Sequence, residues 1–180
     1  MGSDVVSEYH FFDLAIKNSV WDIKNYAYGY NVCLSVSILP SILNIFINIS
    51  PLLTFKLMVQ LIFPVILIVI YLFFKKFSNP IFSFLAVFFF MSQVGYIIDM
   101  PSVLRQEIAL IFFSLMLLVL FSKEINPAPK KLLFIIFGFS MIVSHYSTSY
   151  VCLALFTLTY IILFFYEKHK NKKIKKREVY

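Results

Sequence analysis

Long apolar runs separated by short polar punctuation set the pattern of this chain. Ser50-Pro51 precedes the run Leu52 to Phe74, which stops at Lys75-Lys76. Asn79-Pro80 precedes Ile81 to Ile98, which stops at Asp99, and Pro101-Ser102 precedes Val103 to Phe121, which stops at Lys123-Glu124. Each opening joins a capping side chain to a proline tolerated in a first helical turn, where its missing N–H would have no intrahelical partner anyway. Each run is about 20 residues, enough to cross about 30 Å of hydrocarbon. The pattern predicts three membrane-spanning helices.

Leu132 to Tyr166 is longer. As one helix it would reach about 52 Å, too much for one crossing. Its one strongly polar stretch, Ser144-His145-Tyr146-Ser147-Thr148-Ser149, predicts a break between two short spans. The basic loop Lys123 to Lys131 and the basic tail Lys168 to Arg177 flank this region, and the positive-inside rule puts both in the cytoplasm. That requires an even number of crossings between them. Lys75-Lys76 is then cytoplasmic, with Asp99-Met100-Pro101 and the 144–149 break outside.

Upstream, Ser37, Ser41, Asn44 and Asn48 of the segment Val32 to Ile49 fall on one helical face, with Leu, Ile and Phe on the other. Two readings fit. The helix lies in the interface with its polar stripe in water, leaving residues 1–31 outside, or it spans with the stripe toward a bundle, leaving them inside.

Composition excludes a soluble globular domain. Of 180 residues, 61% are hydrophobic and only 14% charged, against roughly half and a quarter in soluble domains. Mean hydropathy is +0.86. Lipid must therefore solvate much of the exterior. The net charge of +7 sits largely in a tail that directly follows a span, so anionic lipid headgroups explain it better than nucleic acid. Cys33 and Cys152 stand in unrelated apolar contexts and read as small buried hydrophobes, with no metal spacing. The first residues lack the basic and apolar regions of a signal peptide.

Three groups of residues can carry chemistry. Four of the nine carboxylates (Asp4, Glu8, Asp13, Asp22) fall in the first 22 residues. Asp4 and Glu8 would share a helical face, fit for a general base or a solvated acidic surface. Arg105, Gln106 and Glu107 sit just inside the outer end of a span, where charge is costly. Arg105 either snorkels as an anchor or holds a phosphate with its planar fork. His145 stands among the hydroxyls of Tyr146, Ser147, Thr148 and Ser149, and either supports the helix break or lines a site.

Three stretches resemble an uncharacterised, mostly archaeal family of predicted membrane proteins, a domain of unknown function. They are Ser3-Asp4-Val5-Val6-Ser7-Glu8-Tyr9, Met100-Pro101-Ser102-Val103-Leu104-Arg105-Gln106-Glu107-Ile108-Ala109 and Ser144-His145-Tyr146-Ser147-Thr148-Ser149-Tyr150. Leu34 to Pro40 and Phe55-Lys56-Leu57 also fit. That family in turn resembles the GT-C glycosyltransferases, which use sugars carried on polyprenyl phosphates. Their first extracytoplasmic loop bears a catalytic Asp or Glu and helices lying on the membrane. The resemblance implies Asp4 and Glu8 as catalytic residues, and Arg105, Glu107, His145 and Tyr146 as substrate-binding. It favours residues 1–31 outside. Because GT-C enzymes carry a span before this loop and further spans beyond the equivalent of Tyr166, it also implies a fragment, inactive alone.

The expectation is an all-α polytopic integral membrane protein of about five transmembrane helices plus interfacial amphipathic helices. Residues 1–50 form an extracytoplasmic loop, 51–166 the bundle and 167–180 a basic cytoplasmic tail, in the cell membrane. The implied activity is transfer of a sugar from a polyprenyl-phosphate donor, with no metal and no defined cofactor. Partners are membrane lipids and that donor, not nucleic acid. The alternative is a non-enzymatic component of six spans, a transporter part or assembly scaffold.

Overall fold

The computed structural model describes residues 3–24 and 28–178, with side chains for 4–24 and 28–170. The basic side chains beyond Lys170 therefore lie outside the described residues. Among the described residues, seven α-helices follow in order: α1 Ser3–Asn18, α2 Leu34–Ile47, α3 Pro51–Phe74, α4 Pro80–Met91, α5 Leu104–Leu120, α6 Pro127–Ser144 and α7 Tyr146–Glu178. A π-helical turn (Gly95–Asp99) and a 3-10 turn (Met100–Ser102) lie between α4 and α5. There is no strand among the described residues. The fold is all-α.

The expected punctuation does its work locally. Asn79 caps α4 by accepting from the Phe82 N–H at 2.9 Å, with Pro80 in the first turn. Pro51 and Pro127 stand in the first turns of α3 and α6, where Ser50 and Asn126 make no side-chain cap. By length and composition, α3, α6 and α7 each suffice to cross a membrane, and α4 with the two turns after it makes a fourth if counted as one bent span. α5 has 17 residues, about 26 Å of helix, short of the roughly 30 Å of hydrocarbon. Exposed Leu61, Ile68, Phe82, Phe89, Ile135 and Phe139 give these helices outward faces that suit lipid rather than water. The chain thus carries several apolar helices of membrane-spanning character.

Two expected elements take a different form. Ile81 to Ile98 is not one straight helix but bends by 65° after α4. The Ser92 hydroxyl and the Gln93 side-chain amide both donate to the Phe89 carbonyl. The Gln93 N–H turns instead to Phe90, three residues back, and Gly95 follows. Side chains that compete for helical carbonyls are a common cause of such kinks. The second break is narrower than the polar stretch around it. Only His145 leaves helical geometry (φ −155°, ψ 113°), and Tyr146 to Ser149 already form the first turn of α7.

α2 matches neither of its two readings in full. Its 14 residues are too short to span, yet its polar stripe turns toward protein at Ser37 and Asn44 and leaves Asn48 exposed. Ser37 is buried, and Asn44 donates to the Ile49 carbonyl and to the Thr54 hydroxyl at 2.8 and 2.7 Å. The exposed side is Leu39, Ile42, Ile45 and Phe46. The helix ends at Asn48, whose left-handed backbone (φ 55°) asparagine tolerates better than most residues.

In the unit formed by residues 1–148, α5 is central. It packs along α6 and α3, and its first turns meet α1 and α2. Phe12, Cys33, Val36, Phe55, Met58, Leu104 and Ile108 form the core there. A second core, Ile66, Tyr96 and Met100, sits below the bend that follows α4. In the remaining unit, α7 continues as one helix through Glu178, beyond the expected end of the span at Tyr166.

Candidate functional site

The site is built around the start of α5. A helix leaves its first N–H groups without intrahelical acceptors, and in a membrane protein water cannot be relied on to supply them. Val103 offers no capping side chain. The acceptor comes instead from 96 residues away: Glu8 Oε2 takes the Leu104 N–H at 2.9 Å. Glu8 reaches it because Ser3–Asn18 is helical, which puts Asp4 and Glu8 on one face one turn apart. A carboxylate at a helix N-terminus also complements the helix dipole.

Arg105 follows from the same turn. Its guanidinium is buried, with Nε 3.4 Å from Glu8 Oε1 and Nη2 3.5 Å from Asp4 Oδ2. Its Cζ lies 3.7 Å from the centre of the Tyr30 ring, a cation–π contact. The Tyr30 hydroxyl then donates to Asp4 Oδ1 at 2.6 Å, closing the ring of interactions. Glu8 is fully buried, whereas the Asp4 side chain keeps 41% of its exposure. Phe11, Tyr28 and Tyr30 lie nearly parallel beside it as a stack of rings, with Tyr28 outermost.

His145 joins from the far end of α6. It is buried, and its Nδ1 lies 2.7 Å from the Thr148 hydroxyl. Ser35 on α2 donates to the Ser144 carbonyl at 3.0 Å, fixing this corner to the rest of the site. Cys33, buried nearby, donates to the Gly29 carbonyl at 3.6 Å. The N-terminal segment thus meets the opening N–H groups of α5 with a side chain, Glu8.

Burial dominates the electrostatics. It pushes the Glu8 carboxyl up to about 7, against Arg105 and the backbone N–H donors at Leu104 and Arg105, which favour the ionised form. Burial likewise lowers His145 to about 4, with the Arg105 charge acting in the same direction. His145 is therefore neutral at pH 7, a hydrogen-bonding ring and not a cation. The bond to Asp4 raises the Tyr30 phenol.

Of the residues picked out from the sequence, Asp4, Glu8 and Arg105 come together directly, and His145 with Tyr146 lies beside them. Arg105 does not snorkel; its fork is turned inward to two carboxylates. Glu107 is placed differently. It is fully buried, and neither of its oxygens has a hydrogen-bond partner among the described residues. Asp13 pairs with Lys17 on α1 at 2.6 Å, and the Asp22 side chain accepts from the Lys24 N–H in a local turn. Tyr30 and Cys33 were not anticipated. Their segment has no periodicity, and a lone tyrosine between helices carries no signal until the fold brings an arginine beneath it. Among the described residues no cluster of His, Cys, Asp or Glu is arranged to hold a metal. No family model, curated protein or solved structure matches the chain.

Proposed function

We propose that this cluster is part of a membrane glycosyltransferase-like site, in which a sugar passes from a polyprenyl-phosphate donor to a hydroxyl. The observation that supports this reading is the contrast between Asp4 and Glu8. Asp4 is oriented by Tyr30 and Arg105 yet open to solvent, as a group that must reach a substrate proton needs to be. Glu8 is closed in and acts only through Arg105 and the start of α5. In this reading Asp4 takes the proton of the acceptor hydroxyl as its oxygen attacks the anomeric carbon, and the lipid phosphate leaves. Arg105 and neutral His145 donate hydrogen bonds to the departing phosphate. Tyr28, the exposed ring of the aromatic stack, offers an apolar face for a sugar ring.

The protein would lie multi-pass in the cell membrane, with Lys75-Lys76, Lys130-Lys131 and the basic tail cytoplasmic and the site on the opposite side. Reporter fusions at Phe77 and Ala128 are expected inside; an outside signal at either would reverse this orientation.

A second reading has its own observation in favour. The Glu8–Arg105 pair is wholly internal, which suits a latch holding α1 against α5 in a non-enzymatic membrane component. Two measurements on the full chain in detergent separate the readings: binding of a long-chain polyprenyl monophosphate, and transfer from a panel of polyprenyl-phosphate hexoses. Asp4→Asn should keep phosphate binding and lose transfer. Arg105→Lys should weaken binding, because lysine lacks the fork. Wild-type chain that binds no polyprenyl phosphate would leave only the latch.

A further inference from the structure

The far end of α5 carries a second feature that the site above does not use. A groove of about 330 Å³ runs between the end of α5 and the start of α6, lined by Leu120, Lys130, Lys131, Phe134 and Ile135. Leu120, Phe134, Ile135 and the lysine stems make its walls apolar. Its mouth is cationic. Lys130 Nζ donates to the Ser122 carbonyl at 2.8 Å, and Lys76 Nζ approaches the Ser122 hydroxyl at 3.4 Å from the end of α3. Lys131 is exposed beside them, and Lys123 stands in the connecting loop with a single carboxylate, Glu124.

We infer that this groove binds an anionic glycerophospholipid of the bilayer, one acyl chain lying along Leu120, Phe134 and Ile135 with the headgroup phosphate at Lys130 and Lys131. Charge complementarity selects the occupant. A zwitterionic lipid satisfies the apolar walls but gains nothing net from the ammonium groups. A soluble phosphate meets the charges but leaves the walls bare. Only a lipid with net negative charge satisfies both. The bond from Lys130 to a main-chain carbonyl holds its ammonium at the rim before any lipid arrives, which lowers the ordering cost of binding. The inference is independent of the glycosyltransferase reading, because the groove and the Asp4 cluster lie at opposite ends of α5.

The test places a fluorescent reporter in the groove. In the Trp21→Phe/Leu120→Trp chain the only tryptophan sits at an exposed groove position. The chain is reconstituted in phosphatidylcholine vesicles containing brominated-chain phosphatidylglycerol or brominated-chain phosphatidylcholine at equal mole fraction. Phosphatidylglycerol should associate roughly 30-fold more strongly, from two lysines near the surface. Lys130→Gln/Lys131→Gln, or high salt, should bring that ratio toward one. A Trp21→Phe/Phe139→Trp chain, with its reporter on the exposed face of α6, should show no preference and so confirms insertion. Equal quenching at position 120 by both lipids would overturn the inference. So would displacement of the brominated phosphatidylglycerol by trace polyprenyl phosphate, which would assign the groove to a different lipid.

Discussion

At the start of α5, Arg105 is buried beneath Tyr30 and flanked by Asp4 and Glu8. At its far end, Lys76 and Lys130 reach Ser122 from the rim of an open groove. The two ends answer the same helix: the N-terminus needs acceptors and draws carboxylates, while the carbonyls past the C-terminus draw ammonium groups. They differ in cost. Lysines that reach toward the surface keep their hydration, so each is nearly free to go. The charges at the first end have left water and hold one another, so removing one strands the rest.

The sharpest way to break this comparison is Arg105→Leu. It leaves Glu8 buried without its counter-charge and should cost about 3–5 kcal/mol, read as loss of resistance to denaturing detergent or heat. Adding Glu8→Gln removes the stranded charge while keeping an oxygen for the Leu104 N–H. It should restore at least about 1 kcal/mol. Strictly additive losses would show that the two side chains do not act as a pair.

Next in size is a pair of opposed pH dependences. Glu8 rises from 4.5 to about 7 on folding, so the native state holds its proton more firmly and stability falls as pH rises through that window. His145 drops from 6.5 to about 4, so the unfolded chain takes the proton instead and stability falls as pH drops through that window. At about 1.4 kcal/mol per pH unit, each contributes roughly 3 kcal/mol at most. Between pH 4.5 and 6.5 they nearly cancel, and the wild-type profile there should be flat. Glu8→Gln should expose a rise in stability with pH, and His145→Gln a fall. Parallel profiles for the two variants would refute the assignment.

What the sequence disclosed, and what it withheld, divides along the same line. Punctuation at Ser50-Pro51 and Asn79-Pro80 announced α3 and α4 because the proline effect at both, and the Asn79 cap at the second, are local. The Asp4–Glu8 face was legible on the condition that α1 be helical. That Glu8 caps α5 was not, since a cap from 96 residues away leaves no local pattern. The bend after α4 was hidden because Ser92 and Gln93 look like ordinary polar residues near a helix end until their hydrogen bonds are seen. The polar stripe of α2 was visible, but which side it faced depended on Thr54 and Ile49 waiting there.

Glu107 sharpens the comparison by lacking what Glu8 has. Fully buried and without a hydrogen-bond partner among the described residues, its carboxyl should weaken the fold. Glu107→Met, similar in volume and flexible, should be neutral or stabilising by about 1 kcal/mol. A loss of several kcal/mol would mean that the carboxyl has a partner in the membrane-embedded protein.

Asp4→Asn keeps an oxygen for the Tyr30 hydroxyl and loses only a half-exposed ion pair at 3.5 Å. Stability should change by less than about 1 kcal/mol, even where transfer is abolished. A larger loss would move Asp4 into the latch alongside Glu8.

The smallest effects separate two buried serines. Ser35 donates across 109 residues to the Ser144 carbonyl, one of the last carbonyls of α6 and so without an intrahelical donor. Ser35→Ala strands that carbonyl in a buried corner and should cost about 1 kcal/mol or slightly more. Ser122 is just as buried, but its bond from Lys130 uses the main-chain oxygen, which alanine retains. Ser122→Ala gives up only the long contact from Lys76, an exposed side chain that water can satisfy equally well. It should change stability by less than about 0.5 kcal/mol. If Ser122→Ala proved the costlier of the two, the Ser122 end would be the tightly held one. The groove beside it would then be a closed structural contact rather than a surface open to lipid.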